Sequence, residues 1–452
     1  MFNQPEFISP YTPNTDTDRE EMLAAIGVGS VDELFEDIPL HYRNPHLDLP
    51  SPLSELELRV YVNELVRKNV IPGEFACFLG AGSYRHHIPA IVQRLVSRGE
   101  YMTAYTPYQP EVSQGTLQTE YEFQTLCCLL TGMPVSNAGM YDGATALAEG
   151  ALMACRVTRR NKVAVLKTVS PLYVEVMKTY TESQGIDIYF VDEEDESLQT
   201  ETACLVIQQP NFLGYLRDGQ LYTNIAHEHG ALLVSYVDPI SLGMFKPPGD
   251  YDADIVASEG QSMGVPTAFG GPYVGIFACK EQFIRQMPGR IVGKTVDTEG
   301  KIAYVLTLQT REQHIRRERA TSNICTSVAL IALMSTIYMA ANGKRGMKNI
   351  AELCYQKSHY AMSLIKDIQG FSVPVQGTFF QEFVVLCPLS PSLINEQLLD
   401  YRIIGGLDLD KALKTDILSE PNGMLISVTE MNSRAEIEAL ADALSEISGG
   451  FK

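Results

Sequence analysis

Leu232-Leu233-Val234-Ser235-Tyr236-Val237 puts apolar side chains on both of its alternating faces, as a strand buried on two sides requires. Similar runs occur at Val163-Ala164-Val165-Leu166, Ile186 to Val191, Cys204 to Ile207, Ile255-Val256-Ala257 and Tyr273 to Phe277. Helical runs of ten or more residues, such as Gly143 to Arg159 and Leu172 to Gln184, sit between most of them. The alternation predicts an α/β domain: a large, mainly parallel sheet covered by helices on both faces. A site in such a sheet belongs at the carboxyl ends of the strands. After Gly343-Lys344-Arg345-Gly346 the texture changes. A helix over 347–368, strands over 380–387 and 424–428, and an amphipathic helix from Ser433 to Ile447, capped by Asn432 or Ser433, predict a small C-terminal α+β domain. The first sixty residues read as an arm, with short helices at Asp16 to Ala25 and Val31 to Phe35. Pro39, Pro45, Pro50 and Pro52 keep the chain extended before helical periodicity resumes over Leu53 to Lys68. The expected division is an arm at 1–60, a large domain at 61–343 and a small domain at 344–452.

The chain has 452 residues, with 35 Lys plus Arg against 55 Asp plus Glu, a net charge of −20. A surface this acidic repels phosphate backbones and anionic lipid, which argues against nucleic-acid or membrane-surface partners. The nine Cys show no metal spacing and read as free, mostly buried thiols in a reducing cytosol. The eight His form no spaced ligand set, so no metal site is indicated; Arg85, His86 and His87, in a Gly-flanked loop, read as surface hydrogen-bonding groups. Met1 to Glu6 lacks the basic and apolar segments of a secretory signal, consistent with a cytoplasmic protein. Ala320 to Gly343 carries no charge, but its Thr, Ser and Asn residues are too polar for a lipid-facing span, and a helix buried in a soluble domain is expected there.

A large α/β domain followed by a small α+β domain suggests the fold-type-I, pyridoxal-phosphate-dependent transferase layout, which other α/β enzymes share. Enzymes of that layout hold the cofactor as a Schiff base on a Lys beyond a strand end. Lys167 and Lys280 end strands but lack the flanking small polar residues and glycine-rich turn. The best-placed segment is Ser258-Glu259-Gly260-Gln261-Ser262-Met263-Gly264, with Gln261 where that Lys would belong.

Five further segments carry a resemblance. They are Phe78 to Pro89 (with Gly80-Ala81-Gly82-Ser83-Tyr84), Thr103 to Gly115 (with Tyr105-Thr106-Pro107-Tyr108-Gln109-Pro110), Asn137 to Thr145, Ala268-Phe269-Gly270-Gly271-Pro272-Tyr273 and Arg316 to Thr326. Together these span most of the chain and resemble the glycine decarboxylase P-protein family. The length and Gln261 resemble the N-terminal, or alpha, half of P-proteins that are split into two subunits. The resemblance implies a chain that works with a beta subunit to decarboxylate glycine on pyridoxal phosphate, passing the aminomethyl group to the lipoyl arm of H-protein and releasing carbon dioxide. It further implies that the beta subunit holds the cofactor covalently, that this chain supplies no Schiff-base Lys, and that alpha-beta pairs double to a tetramer.

On that resemblance, Thr321, Ser322, Asn323, Gly270 and Gly271 are expected to reach the partner's cofactor, with Thr321 the leading hydroxyl donor. Tyr105 and Tyr108, in a Pro-containing turn, are expected at the substrate. Asn137 to Thr145 matches the phosphate-binding turn and is expected to be a vestige here, and Asp238 is expected to be structural. Two rivals remain: a self-sufficient pyridoxal-phosphate enzyme using Lys280 or Lys167, and a catalytically empty scaffold or regulatory paralogue of such an enzyme.

Overall fold

The computed structural model describes residues 11–43, 45–374, 377–412 and 420–449. Met1 to Glu6 and the part of the expected C-terminal domain at 413–419 lie outside the described residues. The chain divides into two compact units, Met1–Asn69 and Val70–Lys452. In the first, helix α1 (Asp16–Ile26) begins on a Thr15–Asp18 capping box and ends at Gly27 in the left-handed region, φ 90°. Helix α2 (Glu55–Val66) begins on the same device from Ser54 and Glu57. Each box satisfies two backbone groups that a helix start otherwise leaves unpaired, contributing about 1 kcal/mol. Val31–Phe35 forms a 3₁₀ turn instead of an α-helix.

The second unit is built on a seven-stranded sheet. Its strands are β1 (Val135–Ser136), β2 (Lys162–Leu166), β3 (Asp187–Val191), β4 (Thr202–Gln209), β5 (Leu232–Val237), β6 (Ile255–Glu259) and β7 (Gly275–Cys279). The spatial order is β1-β7-β6-β5-β4-β2-β3. From β6 to β3 every pairing is parallel, while β7 runs antiparallel to both β6 and β1. Helix α3 (Gln114–Thr131) precedes β1, and α4 (Gly143–Thr158), α5 (Pro171–Thr181) and α6 (Gly219–Glu228) lie between the strands in sequence. Val163, Leu205, Val206, Leu233, Val234, Ile255, Val256 and Phe277 are all buried in one cluster with Ala151 and Ala154 of α4. Burial of each large apolar side chain contributes roughly 1.5–3 kcal/mol, which is why runs apolar on both faces settle in the sheet interior.

The register aligns Gln209 with Val237 and Val237 with Ser258, so the carboxyl ends of β4, β5 and β6 share one rim. A hairpin, β8 (Ile291–Val296) with β9 (Ile302–Thr307), follows the sheet. Helix α7 then runs Ala329–Ile365, with a break in helical geometry at Gly343, φ 58°. The stretch expected to be helical from Ala320 is irregular up to Val328, where the Thr321 N–H goes to the Arg311 carbonyl and the Ile324 N–H to the Ser322 hydroxyl instead of into a helix. Among the described residues no helix is long and apolar enough to cross a membrane.

The C-terminal domain carries an antiparallel sheet of β10 (Glu382–Leu386), β11 (Leu407–Asp408) and β12 (Gly423–Ser427), ordered β10-β12-β11. Helices α8 (Pro391–Leu398) and α9 (Arg434–Gly449) pack on it through Ile394, Leu398, Ile437, Leu440 and Leu444. Ser433 caps α9, accepting from the Glu436 N–H while its own N–H donates to the Glu436 carboxylate. A two-residue parallel ladder of Ala76–Cys77 with Ile403–Ile404 ties the start of this unit to that domain.

Candidate functional site

The rim formed by β4, β5 and β6 holds a cavity lined by Tyr84, Tyr173, Tyr236, Asp238, Glu259, Gln261 and Glu382, among others. Position follows from register: Glu259 is the last residue of β6 and Gln261 the second beyond it. The Gln261 amide is fully engaged. Its Oε1 accepts from the Tyr84 N–H at 2.8 Å, and its Nε2 donates to the Tyr84 carbonyl at 2.9 Å and the Val265 carbonyl at 2.8 Å. Gln261 therefore clips the loop after Phe78 onto the sheet.

Glu259 takes the N-terminus of α4. Its two carboxylate oxygens accept from the Gly143 N–H at 2.8 Å and the Gln261 N–H at 3.0 Å. Asp142 caps the same helix, forming a box with Thr145. Burial raises the Glu259 carboxyl from 4.5 to about 8, against the pull of those backbone donors. Glu382 is raised to about 7, again chiefly by burial, while accepting from the Ala81 N–H at 2.6 Å and the Tyr84 hydroxyl at 2.7 Å. Asp238 is raised by burial as well; its oxygens accept from Ser241 N–H at 2.8 Å and Gln381 Nε2 at 3.4 Å. The Tyr173 and Tyr236 hydroxyls lie 2.8 Å apart.

The cavity between these groups is about 30 Å³, room for one or two waters. Pyridoxal phosphate needs an amine, a vacant anion cradle and space for a ring. The lining presents an engaged amide, a carboxylate already seated on the helix N-terminus and two further buried carboxyls, and does not fit that cofactor. The other amines face elsewhere. Lys167 pairs with Asp192 at 2.7 Å, and Lys280 sits between Asp252 and Asp254, 2.8 Å from each. Because β7 is antiparallel, Cys279 aligns with Ile255 and Gly275 with Glu259, so Lys280 stands at the end of the sheet away from the cavity.

A second cluster gathers some of the residues singled out in the sequence. Arg290, 3% exposed, donates to the Tyr108 hydroxyl at 3.0 Å, lies 5.1 Å from the Tyr108 ring centroid and is 3.4 Å from Glu312. His314 meets the Tyr108 ring edge-on at 5.3 Å. Arg290 and Glu312 line a small pocket together with Thr321 and Ser322. Thr321 N–H donates to the Arg311 carbonyl, and the Ser322 hydroxyl donates to Glu149. Tyr108, Thr321 and Ser322 thus meet around one arginine that the sequence reading did not select. Tyr105 is 80% exposed and stands apart from this pocket. Asn323 is exposed, with its side chain bonded to Tyr180. Gly270, exposed, and Gly271, half-buried, form a turn at φ 96° and 147°, beside the fully exposed Phe269.

His86 departs from the surface reading. Its side chain is 2% exposed, and its Nδ1 lies 2.7 Å from Glu430, itself 8% exposed. The partner lies 344 residues away in the chain, so local sequence held no sign of it. Six of the nine free cysteines are buried and Cys325 is exposed.

The family model for the glycine cleavage system P-protein matches residues 9–444. A probable glycine dehydrogenase (decarboxylating) subunit 1 from Desulforamulus reducens is 50% identical, covering 97% of this chain and 100% of that protein. One of the same description from Thermomicrobium roseum is 49% identical, covering 96% and 99%. A crystal structure described as glycine decarboxylase (P-protein) of the glycine cleavage system, in inhibitor-bound form, matches at a TM-score of 0.90 and 41% identity, over 97% of this chain and all of that one. A sphingosine-1-phosphate lyase from Burkholderia pseudomallei, at 13% identity and a TM-score of 0.62, shares the fold. By sequence and by architecture alike, the chain belongs to the glycine cleavage system P-protein family.

Proposed function

We propose that this chain is the alpha subunit of a two-subunit glycine decarboxylase, completing a site whose cofactor is held by the beta subunit. With that partner it decarboxylates glycine and delivers the aminomethyl group to lipoylated H-protein. The observation that carries the division of labour is the Glu259–Gln261 pair: the place of the amine is taken by an amide with three hydrogen bonds, and the anion cradle is taken by a carboxylate. This chain's contribution to the partner's site is then a surface. Thr321, Ser322 and Asn323, with the Gly270–Gly271 turn, are assigned to the partner's cofactor. Tyr108, held by Arg290, and the exposed Tyr105 are assigned to the substrate side.

The deciding experiment mixes separately purified subunits. The chain alone, incubated with pyridoxal phosphate, should stay colourless and gain no borohydride-stable adduct, and glycine–carbon dioxide exchange should appear only on mixing. Adduct formation on Lys167 or Lys280 would favour the self-sufficient enzyme, and exchange by the beta subunit alone would favour the scaffold. Replacing Thr321 by Ala should weaken cofactor binding by the mixed complex about tenfold, the worth of one hydrogen bond to a charged group. A fluorescence titration with pyridoxal phosphate reads that change separately from turnover.

A further inference from the structure

His86, Cys354 and Glu430 come from three places: the loop after Cys77, helix α7 and the segment after β12. Their potential ligand atoms all lie within 4.8 Å of one another. The His86 and Glu430 side chains are 2% and 8% exposed and Cys354 is fully buried. We propose that these three side chains form a buried binding site for a zinc-like divalent metal ion.

The donor set of imidazole nitrogen, thiolate sulfur and carboxylate oxygen suits a borderline-soft ion of tetrahedral habit. Glu430 Oε2 is the hub, 2.7 Å from His86 Nδ1 and 3.4 Å from Cys354 Sγ. Metal–ligand bonds of about 2.0–2.3 Å place neighbouring donors roughly 3.3–3.8 Å apart in a tetrahedron. The sulfur–oxygen separation already meets that, and the nitrogen–oxygen separation must open by about 0.6 Å, which a rotation of either side chain supplies. Protons on the thiol and the imidazole occupy the ion's place in the metal-free form and leave when it binds.

The surroundings are also under-satisfied. His86 Nε2 and the Tyr338 hydroxyl are buried without a hydrogen-bond partner, and Tyr338 is 0% exposed. Such groups cost about 1–3 kcal/mol each when left unpaired, so protein contacts alone under-use this region. Tyr338 also feels the charges of Glu430 and Cys354. Outer contacts needed to hold the ligands are present: the His87 N–H donates to Glu430 Oε1 at 2.7 Å, and Lys357 Nζ donates to the Glu430 carbonyl at 2.5 Å and the Asn432 carbonyl at 2.7 Å. An ion here would fasten the loop before the large sheet, the long helix and the C-terminal sheet at one point.

The test uses the full chain, loaded with zinc or cobalt(II) and then dialysed. We expect about one zinc per chain by elemental analysis, and a thiolate-to-cobalt charge-transfer band in the near ultraviolet. Cys354→Ser should abolish the band, and Glu430→Gln should weaken cobalt binding, with circular dichroism reporting the fold of each. Wild-type chain that is folded yet retains no zinc and shows no such band with cobalt overturns the proposal without recourse to any variant. A band that persists in folded Cys354→Ser also overturns it, because the thiolate would then come from another cysteine.

Discussion

At the scale of single residues, Glu382 shows how burial is traded against hydrogen bonding. The Ala81 N–H and the Tyr84 hydroxyl hold its two oxygens, yet loss of water dominates and lifts it from 4.5 to about 7. A carboxyl whose folded value lies above its unfolded one stabilises the fold fully below the unfolded value, and that contribution disappears as pH climbs through the folded value. The loss here runs from about pH 4.5 to about 7 at roughly 1.4 kcal/mol per pH unit. Glu382→Gln keeps an acceptor for Ala81 and offers Tyr84 a donor, so urea unfolding of this variant should be flatter across that window than wild type. Gln261→Lys tests the neighbouring residue. It removes three hydrogen bonds and strands the Tyr84 N–H, at a cost of about 2–4 kcal/mol. The new amine should still form no borohydride-stable adduct with pyridoxal phosphate, since Glu259 continues to fill the cradle; absorbance and thermal melting check the two halves. The sequence marked Gln261 through its flanking Ser, Gly and Met residues, whereas Tyr84 and Glu382 were unreadable as partners because 298 positions separate them.

At the scale of elements, the start of α4 concentrates the site's logic. Asp142 and Thr145 make an ordinary capping box, and Glu259 adds a carboxylate from the end of β6. Gly143 permits that approach: a Cβ there would meet the Glu259 Cβ at 2.8 Å and its backbone nitrogen at 2.9 Å. Gly143→Ala should therefore lower stability by about 1–3 kcal/mol, measured by denaturant midpoint at unchanged slope. Most of the parallel sheet was legible, with strand boundaries within a few residues, because strands buried on both faces must be apolar throughout. The β8–β9 hairpin was not: residues 293–296 are Gly-Lys-Thr-Val, its outer half is exposed, and its small apolar cluster leaves no period-two signal. Helix α7 was also misjudged at its start, expected at Ala320 and found at Ala329, while its first fourteen residues and last twenty-two are helical runs joined through Gly343. Gly343 was visible as a boundary, and only the continuation of helix across it was hidden.

At the scale of the whole molecule, the net charge of −20 repels any acidic partner at long range, so association with one must be carried by local surfaces. Mixed with its beta partner, the chain should give a complex holding two copies of each subunit by light scattering; a stable one-to-one pair would confine the assembly to a single alpha-beta unit. The carboxylate of Glu259, seated where an enzyme of this fold would receive a phosphate, bears on how such a complex comes about. The chain carries its own occupant for that seat and should therefore finish folding without a vitamin-derived molecule. Cells starved of vitamin B6 should accordingly still accumulate it in native, protease-resistant form.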